Sequence, residues 1–174
     1  GLKVMSLTDH DTIDGCARMA AACAELEIEF VSGCEFTVEL DGFELHLLGY
    51  FLDLENPRLL SELAKYQKVR RNRIHEMVAK LNGISIEITS EDVMRIADCD
   101  APGRPHIGRA LVEAGHCRNL DEAFNKWLKK GKPAWVTKAK LSAAEAIRLI
   151  HEADGLAVLA HPGLYHHDEV IPPL

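Results

Sequence analysis

What the chain lacks narrows it first. No apolar run approaches the roughly 18–20 residues that span a bilayer, so nothing in the 174 residues reads as a transmembrane helix. The seven residues ahead of Thr8 are too few for a signal peptide. The five cysteines, Cys16, Cys23, Cys34, Cys99 and Cys117, contain no CxxC pair, and their odd number does not close into a disulfide framework. They read as reduced thiols of a cytoplasmic chain. There is no Walker loop, no dinucleotide fingerprint and no Ser/His/Asp triad. With only 12 Gly and 7 Pro, collagen and low-complexity disorder are excluded.

The net charge of −7 argues against a nucleic-acid binder until its distribution is read. Residues 55–140 hold 17 Lys+Arg against 11 Asp+Glu, and the remainder holds 3 against 16. The acidic part suits bound cations and the basic part an anionic ligand.

The patterning follows the same division. Residues 2–7 have strand character, Asp14 is placed as an N-cap, and the Ala-rich stretch 16–26 is helical. Residues 28–36 and 43–51 read as two further strands, which predicts a βαβ unit and a parallel sheet. Functional side chains in such sheets gather at the C-terminal strand ends. Leu59, Leu63, Tyr66, Ile74, Met77, Val78 and Leu81 then mark one long helix face. Ser90 is placed as the cap of a helix over 91–97, Pro105 as the first residue of one to 114, and Asn119 as the cap of one over 120–130. Ser142 and Glu145 form a capping box ahead of a helix to about 153, and strand 155–160 delivers His161. The expected organisation is an α/β unit of residues 1–54 and 141–174, interrupted by a basic helical insertion over 55–140.

Four side chains on or near these strands are candidate metal ligands: His10, Glu35, His46 and His161. Imidazole nitrogen with carboxylate oxygen suits manganese, zinc or iron, and one carboxylate can face two cations with its two oxygens. Asp9 and Asp11 flank His10, and either is placed to orient its ring from behind. His46 alone, in an apolar run, reads equally as a hydrogen-bonded strand residue.

The motifs taken in order carry more than any one of them. Thr8-Asp9-His10-Asp11-Thr12, Gly33-Cys34-Glu35, Glu44-Leu45-His46-Leu47-Leu48-Gly49, Gly103-Arg104-Pro105-His106-Ile107 and Ala160-His161-Pro162-Gly163 together resemble the PHP (polymerase and histidinol phosphatase) superfamily. Within it they are most similar to the stand-alone nucleoside 3′,5′-bisphosphate phosphatases and ribonuclease AM-like 5′–3′ exoribonucleases. The resemblance implies part of a distorted (β/α)7 barrel with a helical insertion and a centre of three divalent cations. Manganese is favoured there, with zinc, iron or magnesium as alternatives. It makes His10, Glu35, His46 and His161 metal ligands, with Glu35 bridging. The implied reaction is hydrolysis of phosphate esters of nucleotides or short RNA 5′ ends by a metal-activated water. The family's opening HxH and closing Asp-x-His are not among these residues, so four of its nine usual ligands are present and this piece alone is expected to be inactive. A small-metabolite phosphatase and a non-catalytic PHP module remain the alternatives.

The same resemblance assigns Arg104 and His106 to a substrate phosphate, and Lys132 to the substrate through a recurring Gly-Lys pair. Arg70 and Arg71 lie in a run of five cations over 65–73 without an acid, and Trp127 and Trp135 lie among the six lysines of 126–140. Basic residues track a phosphate backbone and aromatics stack on bases, although a solvated helix face with a buried Trp127 fits the pattern as well. No membrane and no obligatory protein partner is implied. His75, His116, His151, His166 and His167 read as structural or solvated.

Overall fold

The computed structural model describes residues 1–138 and 140–164. In chain order its elements are β1 (Val4–Ser6), α1 (Cys16–Glu25), β2 (Glu29–Val31), β3 (Gly33–Leu40), β4 (Phe43–Tyr50), α2 (Pro57–Asn82), α3 (Ser90–Ala97), α4 (Arg104–Glu113), α5 (Leu120–Ala123), β5 (Leu141–Ser142), α6 (Ala143–Glu152) and β6 (Leu156–Leu159). They fall into two compact units, one of Gly1–Lys65 with Lys140–Leu174 and one of Tyr66–Ala139. The division falls inside α2.

In the first unit β1 and β2 pair in parallel across α1, as a βαβ unit should. The single run expected over 28–36 is in fact broken at Ser32 into β2 and β3. The larger sheet has the order β5-β3-β4-β6 and is mixed, not parallel: only β3 and β5 run parallel, while β3/β4 and β4/β6 are antiparallel. The physical reason is the pair Asp41-Gly42. Both have positive φ, 49° and 84°. That suits a two-residue hairpin turn whose twist matches the strands it joins.

The hairpin register sets the two faces of the sheet. Phe36, Val38, Leu45 and Leu47 pack with Ala146, Leu149 and Ile150 of α6 into one core. With a side-chain period of two, Glu35, Thr37 and His46 fall on the other face. The free edge of β3 is closed piecewise. Glu35 N–H donates to the Asp9 carbonyl (3.0 Å) and Asp11 N–H to the Glu35 carbonyl (2.9 Å). The Asp11 carboxylate takes the Thr37 N–H at 3.0 Å, and β5 takes over at Val38. Gly33 makes this approach possible. A Cβ there would lie 2.6 Å from Ser6 Oγ and 2.9 Å from the Leu7 carbonyl.

The helix ends differ from the pattern in detail. Gly15, not Asp14, stands at the N-cap of α1, and Asp14 instead accepts the Thr12 hydroxyl at 2.6 Å. Ser142 and Glu145 form the expected capping box on α6.

The second unit is helical around Ile74, Met77, Leu81, Val93, Ile107, Leu111 and Leu128. Thr89, one residue before Ser90, caps α3 by accepting the Asp92 N–H at 3.1 Å. Pro105 is the second residue of α4, whose N-cap is Gly103. The helix expected over 120–130 has only one α turn before it widens into a π turn over Phe124–Leu128.

Candidate metal centre

His10 and Glu35 meet because the parallel ladder of β1 and β2 resumes after a gap. The pairs Ser6–Val31 and His10–Glu35 share one offset of 25 residues. Glu35 is thus the third residue of β3, near the start of that strand and not at its end. His46 lies diagonally across the hairpin, opposite Thr37. Its carbonyl accepts the Ala160 N–H at 2.9 Å, which seats the next residue, His161, beside it. His161 and Asp11 both have positive φ, 33° and 55°. Conformations of that kind cost energy and persist where the surroundings fix them.

The three histidine side chains converge on the Glu35 carboxylate. His46 Nδ1 lies 2.9 Å and His161 Nε2 3.2 Å from Glu35 Oε1, and His10 Nε2 lies 3.6 Å from Oε2. His46 Nδ1 and His161 Nε2 are 3.0 Å apart. Both nitrogens cannot carry a proton toward one oxygen and also face each other, so a cation fits this set of donors better than protons do. One donor atom each from His10, Glu35 and His46 lies within 4.8 Å of the others. Glu35 is the most enclosed of the four, its side chain 16% exposed against 45% for His10. Burial lowers the His46 pKa and the neighbouring His10 adds to the shift, while Glu35 opposes it. The shift favours the neutral ring, the form that ligates a metal. Asp9 touches the centre through its main chain: its carbonyl also takes the Cys34 thiol at 3.6 Å.

The basic residues belong to the second unit. His106 Nδ1 accepts the Gly103 N–H at 3.0 Å, so its ring caps α4 and, when neutral, carries its proton on Nε2. Arg70 packs against Gly103, where a Cβ would meet its Nη1 at 3.3 Å. Arg71 Nη1 is bound to Asp100, at 3.1 Å to the carbonyl and 3.3 Å to the carboxylate. Lys132 is exposed in a turn whose carbonyl accepts the Trp135 N–H. Arg104 lies over Trp135. Trp127 is partly buried and packs against the helical core. His116 Nε2 lies 2.8 Å from the Glu87 carbonyl, and His166 and His167 lie outside the described residues.

No family model matches the chain. Individual relatives do. The chain is 35% identical over 165 residues to the 3′,5′-nucleoside bisphosphate phosphatase of Chromobacterium violaceum, covering 93% of itself and 57% of that protein. It is 33% identical over 165 residues to the 5′–3′ exoribonuclease Rnm of Escherichia coli, covering 93% of itself and 56% of that protein. The chain is thus similar, over nearly its whole length, to part of these proteins. It spans somewhat more than half the length of the relatives it matches. Among solved structures, an amidohydrolase from C. violaceum with bound sulfate superposes with a TM-score of 0.86 at 34% identity, over 92% of this chain and 57% of that one. A proposed metal-dependent phosphoesterase from Bifidobacterium adolescentis superposes with a TM-score of 0.87 at 29% identity, over 94% and 58%.

The residues without a signal of their own in the sequence are those that hold others in place. The sequence places Asp11 to orient the His10 ring, whereas the bond its carboxylate accepts from the Thr37 N–H is visible only in the fold. Asp41-Gly42 carries a direct hairpin signal in sequence. Among the described residues no helix is long and apolar enough to cross a membrane.

The His106 geometry gives a pH expectation. Burial lowers its pKa, with Arg109 and Arg70 adding to the shift. The unfolded chain then takes up the proton at higher pH than the folded one. The contribution to stability is complete above the ordinary histidine value of about 6.5 and is lost as the pH falls through the lowered value. Substituting His106→Gln should flatten the acid slope of the unfolding free energy below that point. Denaturant titrations at several pH values measure it, and an unchanged slope would place the acid sensitivity in other groups.

Proposed function

We propose that the protein is a divalent-metal-dependent phosphoesterase acting on terminal phosphates of nucleotides or short RNA 5′ ends, in the cytoplasm, and that its first unit is part of a PHP (β/α)7 barrel. The observation that carries this is the convergence of His10, His46 and His161 on the Glu35 carboxylate. The chemistry of relatives named as a nucleoside bisphosphate phosphatase and as exoribonucleases supports the substrate class. Divalent cations, three in the family pattern and manganese by preference, would supply an activated water and neutralise charge on the phosphoryl group. Glu35 would hold such cations through its two oxygens, which face different histidines. His10, His46 and His161 would hold these cations through ring nitrogens that face the carboxylate. Arg104 and His106, with its Nε2–H, bind a non-reacting phosphate, and Arg70 adds positive potential beside them.

The test is a comparison of hydrolysis rates on two substrates by the intact, manganese-supplied protein. Adenosine 3′,5′-bisphosphate carries a second phosphate and 4-nitrophenyl phosphate does not. Arg104→Ala should lower kcat/KM for the bisphosphate about ten- to a hundredfold, the range of one charge-assisted contact, and leave the aryl phosphate nearly unchanged. Equal losses on both substrates would make Arg104 structural. Absence of bisphosphate hydrolysis by the unaltered protein would turn the reading toward a small-metabolite phosphatase or a module without activity.

A further inference from the structure

Thr37 stands beside the donors of the metal centre without being one of them. Glu35 lies two positions before it, on the same strand and the same face, and His46 is its partner across the hairpin. The Thr37 N–H points away from β4, to the Asp11 carboxylate, and the His46 carbonyl points away from β3, to the Ala160 N–H. Thr37 and His46 therefore form a pair that exchanges no main-chain bonds. In antiparallel sheets that is the pairing whose opposed side chains come closest.

A third donor, His10, is reached through Asp11. The Asp11 carboxylate accepts twice from Thr37, the N–H on Oδ1 at 3.0 Å and the hydroxyl on Oδ2 at 3.4 Å. Asp11 directly follows His10 and has φ 55°, so the chain turns into the left-handed region at the residue after that ligand. Such a turn costs energy and keeps its shape where neighbouring groups fix it. Main-chain bonds from Asp9 and Asp11 to Glu35 set how far along β3 His10 stands. The bonds from Thr37 hold the turn that follows it. The His10 side chain is the most exposed of the four ligands, so packing constrains it least. Its ring centroid lies 4.8 Å from that of His46, with the rings edge to face.

We propose that Thr37 is a positioning residue of the metal centre: its hydroxyl, acting through Asp11, sets where the His10 ring stands opposite His46, and with it the affinity for a divalent cation shared by His10 and Glu35. This rests on the metal-binding role of these residues given above. The main-chain N–H of residue 37 remains in any variant that is not proline. The hydroxyl can thus be removed while the longer-lived part of the contact with Asp11 and the strand pairing stay, which separates positioning from folding.

The experiment is a calorimetric manganese titration of the intact protein, with circular dichroism showing each variant folded. Thr37→Val and Thr37→Ala both remove the hydroxyl and should each weaken manganese binding about tenfold, the low end of the range for a group behind a metal ligand. Thr37→Ser keeps the hydroxyl and should bind as the unaltered protein does. In a His10→Ala background, Thr37→Val should cost no further affinity. Cobalt in place of manganese adds a spectroscopic reading: the visible absorption of the bound ion should change in Thr37→Val and return in Thr37→Ser. A Thr37→Val protein that unfolds in less urea yet binds manganese like the unaltered one would make the hydroxyl structural only and overturn the proposal. A Thr37→Ser variant as weak as Thr37→Val would overturn it too, and so would a Thr37→Val loss that persists in full without the His10 ring. If the unaltered protein binds no manganese, the metal reading itself fails. If it binds manganese and Thr37→Val is silent, only the positioning role does.

Discussion

Glu35→Gln should remove nearly all divalent-metal binding from the protein, and with it the hydrolysis of every phosphate ester tested. Glu35 is the common partner of His46, His161 and His10, at 2.9, 3.2 and 3.6 Å. An amide supplies one neutral oxygen where the carboxylate supplies two that share a full charge, and its NH2 would point a donor at rings that need an acceptor or a cation. Disturbing a hydrogen bond behind a metal ligand already costs roughly 10–100-fold in metal affinity, so loss of the shared ligand should exceed that range. His10→Ala should be milder, because that ring is 45% exposed and stands furthest from the carboxylate. Metal analysis after dialysis against manganese, with kcat on both substrates, reads the ranking. Equal metal content in Glu35→Gln and the unaltered protein would show that the convergence at Glu35 is a hydrogen-bonded cluster and not a metal centre. These losses should be blind to the substrate, in contrast to Arg104→Ala.

Asp11→Ala should be the most destabilising single change near the centre, by about 2–4 kcal/mol. Asp11 is 3% exposed, and its carboxylate accepts the Thr37 N–H at 3.0 Å and the Thr37 hydroxyl at 3.4 Å. Alanine leaves that buried N–H without its acceptor, a loss of about 1–3 kcal/mol. The backbone adds to it. Asp11 has φ 55°, a region that aspartate tolerates and alanine does so at a further cost of about 1 kcal/mol. Asp11→Asn keeps an acceptor oxygen and the tolerant backbone, so it should lose less than half as much. Urea unfolding tests this through a lower midpoint at unchanged slope. A midpoint shift of less than about 0.5 kcal/mol equivalent for Asp11→Ala would mean that β5 alone secures this edge of the sheet.

The residues legible in sequence were those whose chemistry is local or whose motif is continuous. The capping box at Ser142 and Glu145 depends on four consecutive residues, and it formed as read. The helix face of α2 depends on periodicity, and Leu59, Leu63, Ile74, Met77, Val78 and Leu81 are buried along it. The sheet was less legible because strand direction depends on connections. Residues 43–51 have the same composition whether they run parallel or antiparallel to residues 33–40. Only the φ values of Asp41 and Gly42 decide, and they forced the hairpin. His46 was recognisable as a candidate from its motif, while its distance to Glu35 depends on pairing Thr37 with His46, a register no composition reveals. The approach of Arg73 and Arg104 to the Trp135 ring joins positions 31 residues apart on either side of Arg104, and the lysine-rich pattern alone suggested a surface for RNA.

The two-residue turn also limits where this chain can change length. Inserting or deleting one residue between Glu35 and His46 would shift the pairing of Thr37 with His46 by one position. His46 would then exchange faces with Leu45 and Leu47, sending an imidazole into the apolar core and a leucine toward Glu35. Gly115 and Gly131 sit in turns of the helical unit, where an added Cβ would meet nothing within 4 Å. Extra residues at those turns disturb no strand register. Variation in chain length should therefore collect in the helical unit, while the stretch from Glu35 to His46 keeps a fixed count even where its individual side chains are replaced.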